Sequence, residues 1–247
     1  MWITSQRVFY AGLLGAASER TMGGYGICVS QHGAPLRIRL GGGAWQSGEL
    51  IVVPPQVPHR IESAHPQILS ILVESESVDA ARLPAFLQHC GPVEAPAFVQ
   101  RVRDAHARLA EASGRESFER FDFDQLLFGA ALAARPLDAR IRQVVDRINA
   151  DPAEPTSAEI CAHAVGLSFS RFLHLFKQET GQTFRAFRAW KRARSLLRHV
   201  RQSATLTDIA LDTGYPDSTH FSHSIRQVYG LRPSDILAGS RRLALHQ

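Results

Sequence analysis

The stretch Cys161-Ala162-x3-Gly166-Leu167-Ser168-x3-Phe172-x3-Phe176-Lys177-x3-Gly181 returns in outline as Ile209-Ala210-x3-Gly214-Tyr215-x5-Phe221-x3-Ile225-Arg226-x3-Gly230. Ala162 and Gly166 recur 48 residues on, at Ala210 and Gly214, whereas Phe172, Phe176 and Gly181 recur 49 residues on, at Phe221, Ile225 and Gly230. The second copy therefore carries one extra turn residue. Each copy reads as helix, tight turn, helix: the small alanine lets two helices approach, and the glycine gives the backbone freedom a sharp turn needs. Such a unit offers its second helix to a DNA major groove, and two in tandem can read two grooves.

The second helix is expected near residues 169–180 in the first copy and 218–229 in the second. At 100° per residue, Phe172, Leu175 and Phe176 share a face that must point to the core, as do Phe221, Ile225 and Val228. The opposite faces carry Ser170, His174, Lys177 and Gln178 in one copy and Ser218, Thr219, His223, Arg226 and Gln227 in the other. Ser170, His174, Ser218, Thr219 and His223 are the candidates for base edges, and Lys177, Gln178, Arg226 and Gln227 for phosphates. The two histidines can also be read as exposed positions with no role. A leading helix is expected near Asp138 to Asn149, and Thr156-x-x-Glu159 and Thr205-x-x-Asp208 mark helix starts by their capping pattern. Between the copies, Phe184 to Val200 reads as one long helix with Phe187, Leu197 and Val200 apolar and Arg185, Arg188, Lys191, Arg192, Arg194 and Arg198 around them. A rigid connector would hold the two recognition helices at the spacing of successive grooves, about 34 Å.

Charge follows the repeat. Of the 247 residues, those from Asp138 onward hold 16 Lys and Arg against 10 Asp and Glu, whereas the rest hold 12 against 13. A basic module joined to a neutral one is the footprint of nucleic-acid binding, its alternative being a solvated basic surface. Cys28, Cys90 and Cys161 lie far apart with no ligand spacing, which argues against a disulfide framework or structural zinc and for reduced thiols. The apolar runs around Ile68–Val73 and Leu126–Ala134 are too short to span a bilayer as helices, and the N-terminus lacks a basic stretch followed by an apolar one. A cytoplasmic protein without a membrane partner is expected.

The N-terminal part reads as strands to about residue 78. Segments at Arg7–Leu14, Tyr25–Ser30, Pro35–Leu40, Leu50–Val53 and Ile68–Val73 are cut by Gly23-Gly24, Gly41-Gly42-Gly43 and Pro54-Pro55. With no helical crossovers between them, a sandwich or small barrel is favoured over a parallel sheet. The run from Gly48 to Ile61, with its proline-rich turn and His59, resembles a strand-turn-strand of cupin-type barrels. The metal-binding cluster of those barrels has no counterpart here, since Gln31-His32-Gly33 offers one His and no HxH with a following Glu exists. His59 is therefore read as turn-forming, as ligand-contacting or, last, as metal-binding; neither a metal nor a cofactor is expected. From Ala80 the spacing turns helical, around Leu83–Leu87, Phe98–Leu109 and Phe123–Ala131, until Arg135-Pro136 ends the series. These helices would either close the domain or pair with a second subunit as a homodimer.

The segment from about Asp138 to Leu237 resembles the C-terminal domain of AraC/XylS-type transcriptional regulators. Their second-unit pattern is met by Gly214-Tyr215, Asp217, Phe221, Ile225-Arg226, Gly230 and Pro233, although His174 and His223 stand where arginine is common. The resemblance implies an α+β chain in two domains. Residues 1–136 would form a cupin-like barrel with trailing helices over 80–134, for effector binding and dimerisation. Residues 137–247 would form an all-α domain of two helix-turn-helix units joined by a long helix. It implies a regulator that binds double-stranded promoter DNA, responds to a small-molecule effector and, as an activator, contacts RNA polymerase. Tyr25, Trp45 and His59 are the candidates for an effector pocket. Two alternatives stay open: a regulator without a small-molecule ligand, answering to a protein partner or its own concentration, and a cupin-type enzyme with a DNA-binding appendage. The second lacks a phosphate loop, a nucleophile elbow and paired carboxylates, so no catalytic residue is assigned.

Overall fold

Apolar residues in the first 75 positions build all but the last of the strands among the described residues, and the turn glycines and prolines divide them. In the computed structural model, which describes residues 1–14, 18–65, 67–112, 122–199 and 205–240, these strands are β1 (Trp2–Ile3), β2 (Arg7–Leu13), β3 (Gly24–Ser30), β4 (Leu36–Leu40), β5 (Trp45–Gly48), β6 (Leu50–Val53), β7 (His59–Ser63), β8 (Gln67–Glu74) and β9 (Gly91–Pro92). They do not close into one barrel. A six-stranded sheet of order β1-β2-β8-β3-β6-β9 faces a three-stranded sheet of order β5-β4-β7. The chain crosses between the sheets at Glu49, the one residue separating β5 from β6, as at the corner of a sandwich.

The six-stranded sheet is covered on both faces. On one, Phe9, Ile27, Val29, Leu69, Ile71 and Val73 pack under helices α1 (Pro96–Ala112) and α2 (Phe123–Phe128). On the other, Cys28, Ile51, Val53 and Ile68 meet Leu36, Ile38 and Ile61 of the small sheet. That inner space is filled with buried apolar side chains. The expected helical stretch at Leu83–Leu87 is instead two short 3-10 turns, Ala80–Arg82 and Ala85–Gln88, because Pro84 between them cannot continue a helix. The third expected stretch ends early, at Gly129 in the left-handed region (φ 80°).

The C-terminal part is helical: α3 (Ala139–Ala150), α4 (Ala158–Ala164), α5 (Phe169–Thr180), α6 (Phe184–His199), α7 (Leu206–Asp212), α8 (Ser218–Tyr229) and α9 (Pro233–Ser240). Val200, expected in the connector, lies outside the described residues. Helix α6 belongs to two cores at once. Its Phe184 and Phe187 pack with Phe172, Phe176 and α3, whereas its Trp190, Ala193, Leu196 and Leu197 pack with Phe221, Ile225, Ile209 and Ala210. The second core also takes in Met1, Val8 and Leu72, so the six-stranded sheet is docked on the second helix-turn-helix unit. Among the described residues no helix is long and apolar enough to cross a membrane.

Candidate nucleic-acid interface

The two turns are built alike. Leu167 N–H donates to the Ala162 carbonyl at 2.9 Å, and Tyr215 N–H donates to the Ala210 carbonyl at the same 2.9 Å. Between them Gly166 and Gly214 hold φ of +66° and +79°, which L side chains rarely adopt. At Gly214 a side chain would also meet the Ala153 backbone at 2.8 Å. The extra residue of the second unit is Pro216, inserted between Tyr215 and the cap Asp217, which explains the step from 48 to 49.

Caps set where the recognition helices begin. Ser168 Oγ accepts from Arg171 N–H at 3.4 Å, and Asp217 Oδ1 accepts from the N–H groups of Thr219 and His220 at 2.8 Å each. Thr205 and Asp208 form the reciprocal capping box of α7. For α4 the cap is Ser157, which accepts from Ile160 N–H, and Thr156 is buried one position earlier. The inward faces are closed, with Phe172, Phe176, Phe221 and Ile225 fully buried. Outward lie Ser170, His174, Lys177 and Gln178 on α5 and Thr219, His223, Arg226 and Gln227 on α8, all exposed; Ser218 is half-buried. Two exposed neighbours escaped the sequence reading, Arg171 and His220. Each directly precedes the buried phenylalanine of its unit, and that shared register is the signal that marks them.

The connector's basic residues divide. Arg185 and Arg198 are exposed, but Lys191 and Arg194 are buried and turned toward the six-stranded sheet. Lys191 Nζ lies 2.7 Å from Glu74 Oε2, Arg194 Nε lies 3.2 Å from Glu74 Oε1, and Trp190 Nε1–H donates to Glu74 at 2.7 Å. Burial opposes ionisation of Glu74, yet Lys191 and Arg194 outweigh it and hold the carboxyl below its usual range. Glu76, also paired with Lys191, is pushed up by burial and then by the Glu74 charge. A second polar seam joins the halves at Gln182, whose amide donates to Gly23 O and Ser75 Oγ and accepts from Gln56 Nε2 at 2.8 Å. Gln56 makes this contact from the left-handed region, φ 64°, a strained state for a side-chain-bearing residue. Thr21 N–H donates to Gln227 O at 2.8 Å and Ser18 Oγ–H to Gly230 O at 2.9 Å, so an N-terminal segment satisfies carbonyls at the end of α8. A cleft of about 280 Å³ opens there, lined by Glu19, Thr21, Gln56, Trp190 and Gln227 among others.

Tyr25, Trp45 and His59 are not brought together. Tyr25 packs against the α1 side of the large sheet, and Trp45 lies beneath Arg37 and Arg39, whose guanidinium carbons sit 5.0 and 5.3 Å from its ring, on the outside of the small sheet. His59 is buried, its Nδ1 2.8 Å from the Val57 carbonyl across the proline turn. Burial pulls its imidazole down to about 4, with the Arg20 charge adding to the effect. Because the folded value lies below the ordinary 6.5, the unfolded chain takes up a proton that the folded one refuses. The stability His59 contributes is thus present above pH 6.5 and lost as pH falls toward 4. Urea titrations of the wild type and His59→Gln should therefore converge on acidification, by roughly 1.4 kcal/mol per pH unit in that window; parallel curves would show that His59 titrates normally. Among the described residues no three His, Cys, Asp or Glu gather as a metal site.

Comparison with known proteins agrees with this geometry. A family model described as a helix-turn-helix domain matches residues 161–239. The HTH-type transcriptional activator RhaS of Escherichia fergusonii is 30% identical over 154 residues, covering 57% of this chain and 55% of RhaS. The invasion protein InvF of Salmonella typhi is 32% identical over 69 residues, covering 28% of this chain and 32% of InvF. The chain thus spans about half, or less, of the length of the curated relatives it matches. Among solved structures, apo ToxT from Vibrio cholerae superposes with a TM-score of 0.60 at 10% identity, covering 95% of this chain and 97% of ToxT, a likeness of the two-part fold. The paired turns thus fall within the matched helix-turn-helix domain, the sequence is similar to those of the transcriptional activators named RhaS, and the two-part fold is shared with ToxT along almost the whole length.

Proposed function

We propose that this protein is a DNA-binding transcriptional regulator that lays α5 and α8 into successive major grooves of one promoter. In this reading Ser170, His174, Ser218, Thr219 and His223 approach base edges, and Lys177, Gln178, Arg226 and Gln227 meet phosphates. Residues 1–136 act as the regulatory domain and 137–247 as the DNA-binding domain, in a cytoplasmic protein without catalytic activity. The observation that supports this best is that the docked N-terminal half leaves the outward faces of both helices open while their aromatic faces are buried. RhaS, named as a transcriptional activator, favours activation and hence contact with RNA polymerase.

Salt titration of promoter binding tests the division of labour. Lys177→Ala and Arg226→Ala should weaken binding to every sequence and flatten the dependence of log K on log salt by about one unit each. Thr219→Ala and His223→Ala should relax base preference, at about 1–3 kcal/mol for one position, and leave the salt slope alone. Cation variants that alter base preference at constant slope would overturn the assignment.

Two modes of control remain, each with its support. One ToxT structure carries an unsaturated fatty acid, which favours a small-molecule effector for a chain of this fold. The space between the two sheets is occupied by Cys28, Leu36, Ile38, Ile51, Val53, Ile61 and Ile68, which favours control by a protein partner, or by homodimer formation as concentration rises. Calorimetric titration with fatty acids separates the two, since heat and a raised melting temperature are expected only under the first.

A further inference from the structure

The cap of α8 does more than start a helix. Asp217 spends Oδ1 on the N–H groups of Thr219 and His220, and its Oδ2 lies 2.8 Å from Nδ1 of the His220 ring. A carboxylate can only accept, so Nδ1 carries the proton, and in a neutral ring Nε2 is left as a bare acceptor. The imidazole is 70% exposed and sits in the first turn of the recognition helix, the part that comes nearest to base edges. The equivalent position of the first unit, 49 residues earlier, is the exposed Arg171, a side chain that only donates. Its cap, Ser168, has a single side-chain oxygen, engaged with the Arg171 N–H, and no second oxygen with which to orient a neighbour.

We propose that His220, held by Asp217 with Nε2 outward, is a specificity residue that accepts a hydrogen bond from the exocyclic amine of adenine or cytosine, where Arg171 in the first unit seeks the acceptors of guanine. This rests on the DNA-binding reading above. The two units then demand opposite chemistry at the same register, so their half-sites differ and the protein binds its promoter in one direction only.

Selection of duplexes from a random library by the full chain at pH 8.5, above the ordinary imidazole range, tests this. The wild type should favour adenine or cytosine about tenfold at one position of the second half-site, and His220→Ala, a change at an exposed side chain, should abolish that preference. Asp217→Asn keeps the cap, because its amide oxygen still accepts from the two N–H groups, but its amide nitrogen donates to Nδ1 and moves the ring proton to Nε2. The preference should then swing to guanine or thymine while the first half-site is unchanged. Nitrogen-15 spectra of the free protein supply an independent readout: a protonated Nδ1 in the wild type and a protonated Nε2 in Asp217→Asn. Enrichment of no sequence at all would overturn the DNA-binding reading itself. A selected site that both variants leave unaltered, or a wild-type ring protonated at Nε2 alone, would overturn the role of His220 and leave that reading standing.

Discussion

Glu74→Ala is expected to cost 3–5 kcal/mol, on the order of what is lost when one partner of a buried ion pair is removed. Glu74 is fully buried, and it alone bridges Lys191, Arg194 and the indole N–H of Trp190. Truncation leaves two cations inside the junction with Glu76 as the remaining carboxylate, and Glu76 is the one whose ionisation burial resists. The charged side chains must then draw in water or pull the halves apart. Urea unfolding followed by circular dichroism would measure the loss, and a change under 1 kcal/mol would mean the network is not buried in solution. Exchanging Glu74 and Arg194 together for methionine, which leaves Lys191 paired with Glu76, should cost far less than Glu74→Ala, because the penalty comes from the unpaired charge and not from the missing pair.

Phe172→Ala and Phe221→Ala should each destabilise by about 3–5 kcal/mol, since each removes a fully buried ring from a packed helical core. Their reach should differ. Phe172 is set among Phe176 and Phe184, with ring centroids 5.7 and 5.4 Å away, inside a core confined to the first unit. Phe221 belongs to the core that also includes Val8 and Leu72 of the sheet. Hydrogen exchange at the Thr21 amide, bonded to Gln227, is the discriminating measurement: protection should fall in Phe221→Ala and persist in Phe172→Ala. Equal loss in both variants would mean the two cores melt as one.

The helical half was legible because its signals are local. Apolar positions at helical spacing named the buried faces, the 48-to-49 step named an inserted turn residue, and Thr205 with Asp208 named a cap. Thr156 and Ser157 are both hydroxyl residues beside one helix start, so spacing alone does not decide which of them accepts from the backbone. What stayed hidden depends on partners distant in sequence. Lys191 and Arg194 read as part of a basic face, yet their carboxylates lie more than 110 residues earlier, on and just after β8. Tyr25 was legible as a strand residue, whereas Trp45 stood only beside the expected strands; which face each takes follows from sheet pairing, which sets Trp45 opposite Arg39 on the outside. His220 was missed because its clamp is a side-chain contact with its own cap and not a feature of periodicity.

Helix α6 carries one further implication, for engineering and for descent. Because its first turns are stitched into one reading head and its later turns into the other, the heads are not interchangeable cassettes. One residue inserted between Phe187 and Trp190 would rotate one head against the other by about 100° and shift it about 1.5 Å along the axis. Chimaeras between relatives should therefore exchange the whole span from α4 to α8. New promoter preferences are more readily acquired by changing exposed side chains on α5 and α8 than by shuffling the heads themselves.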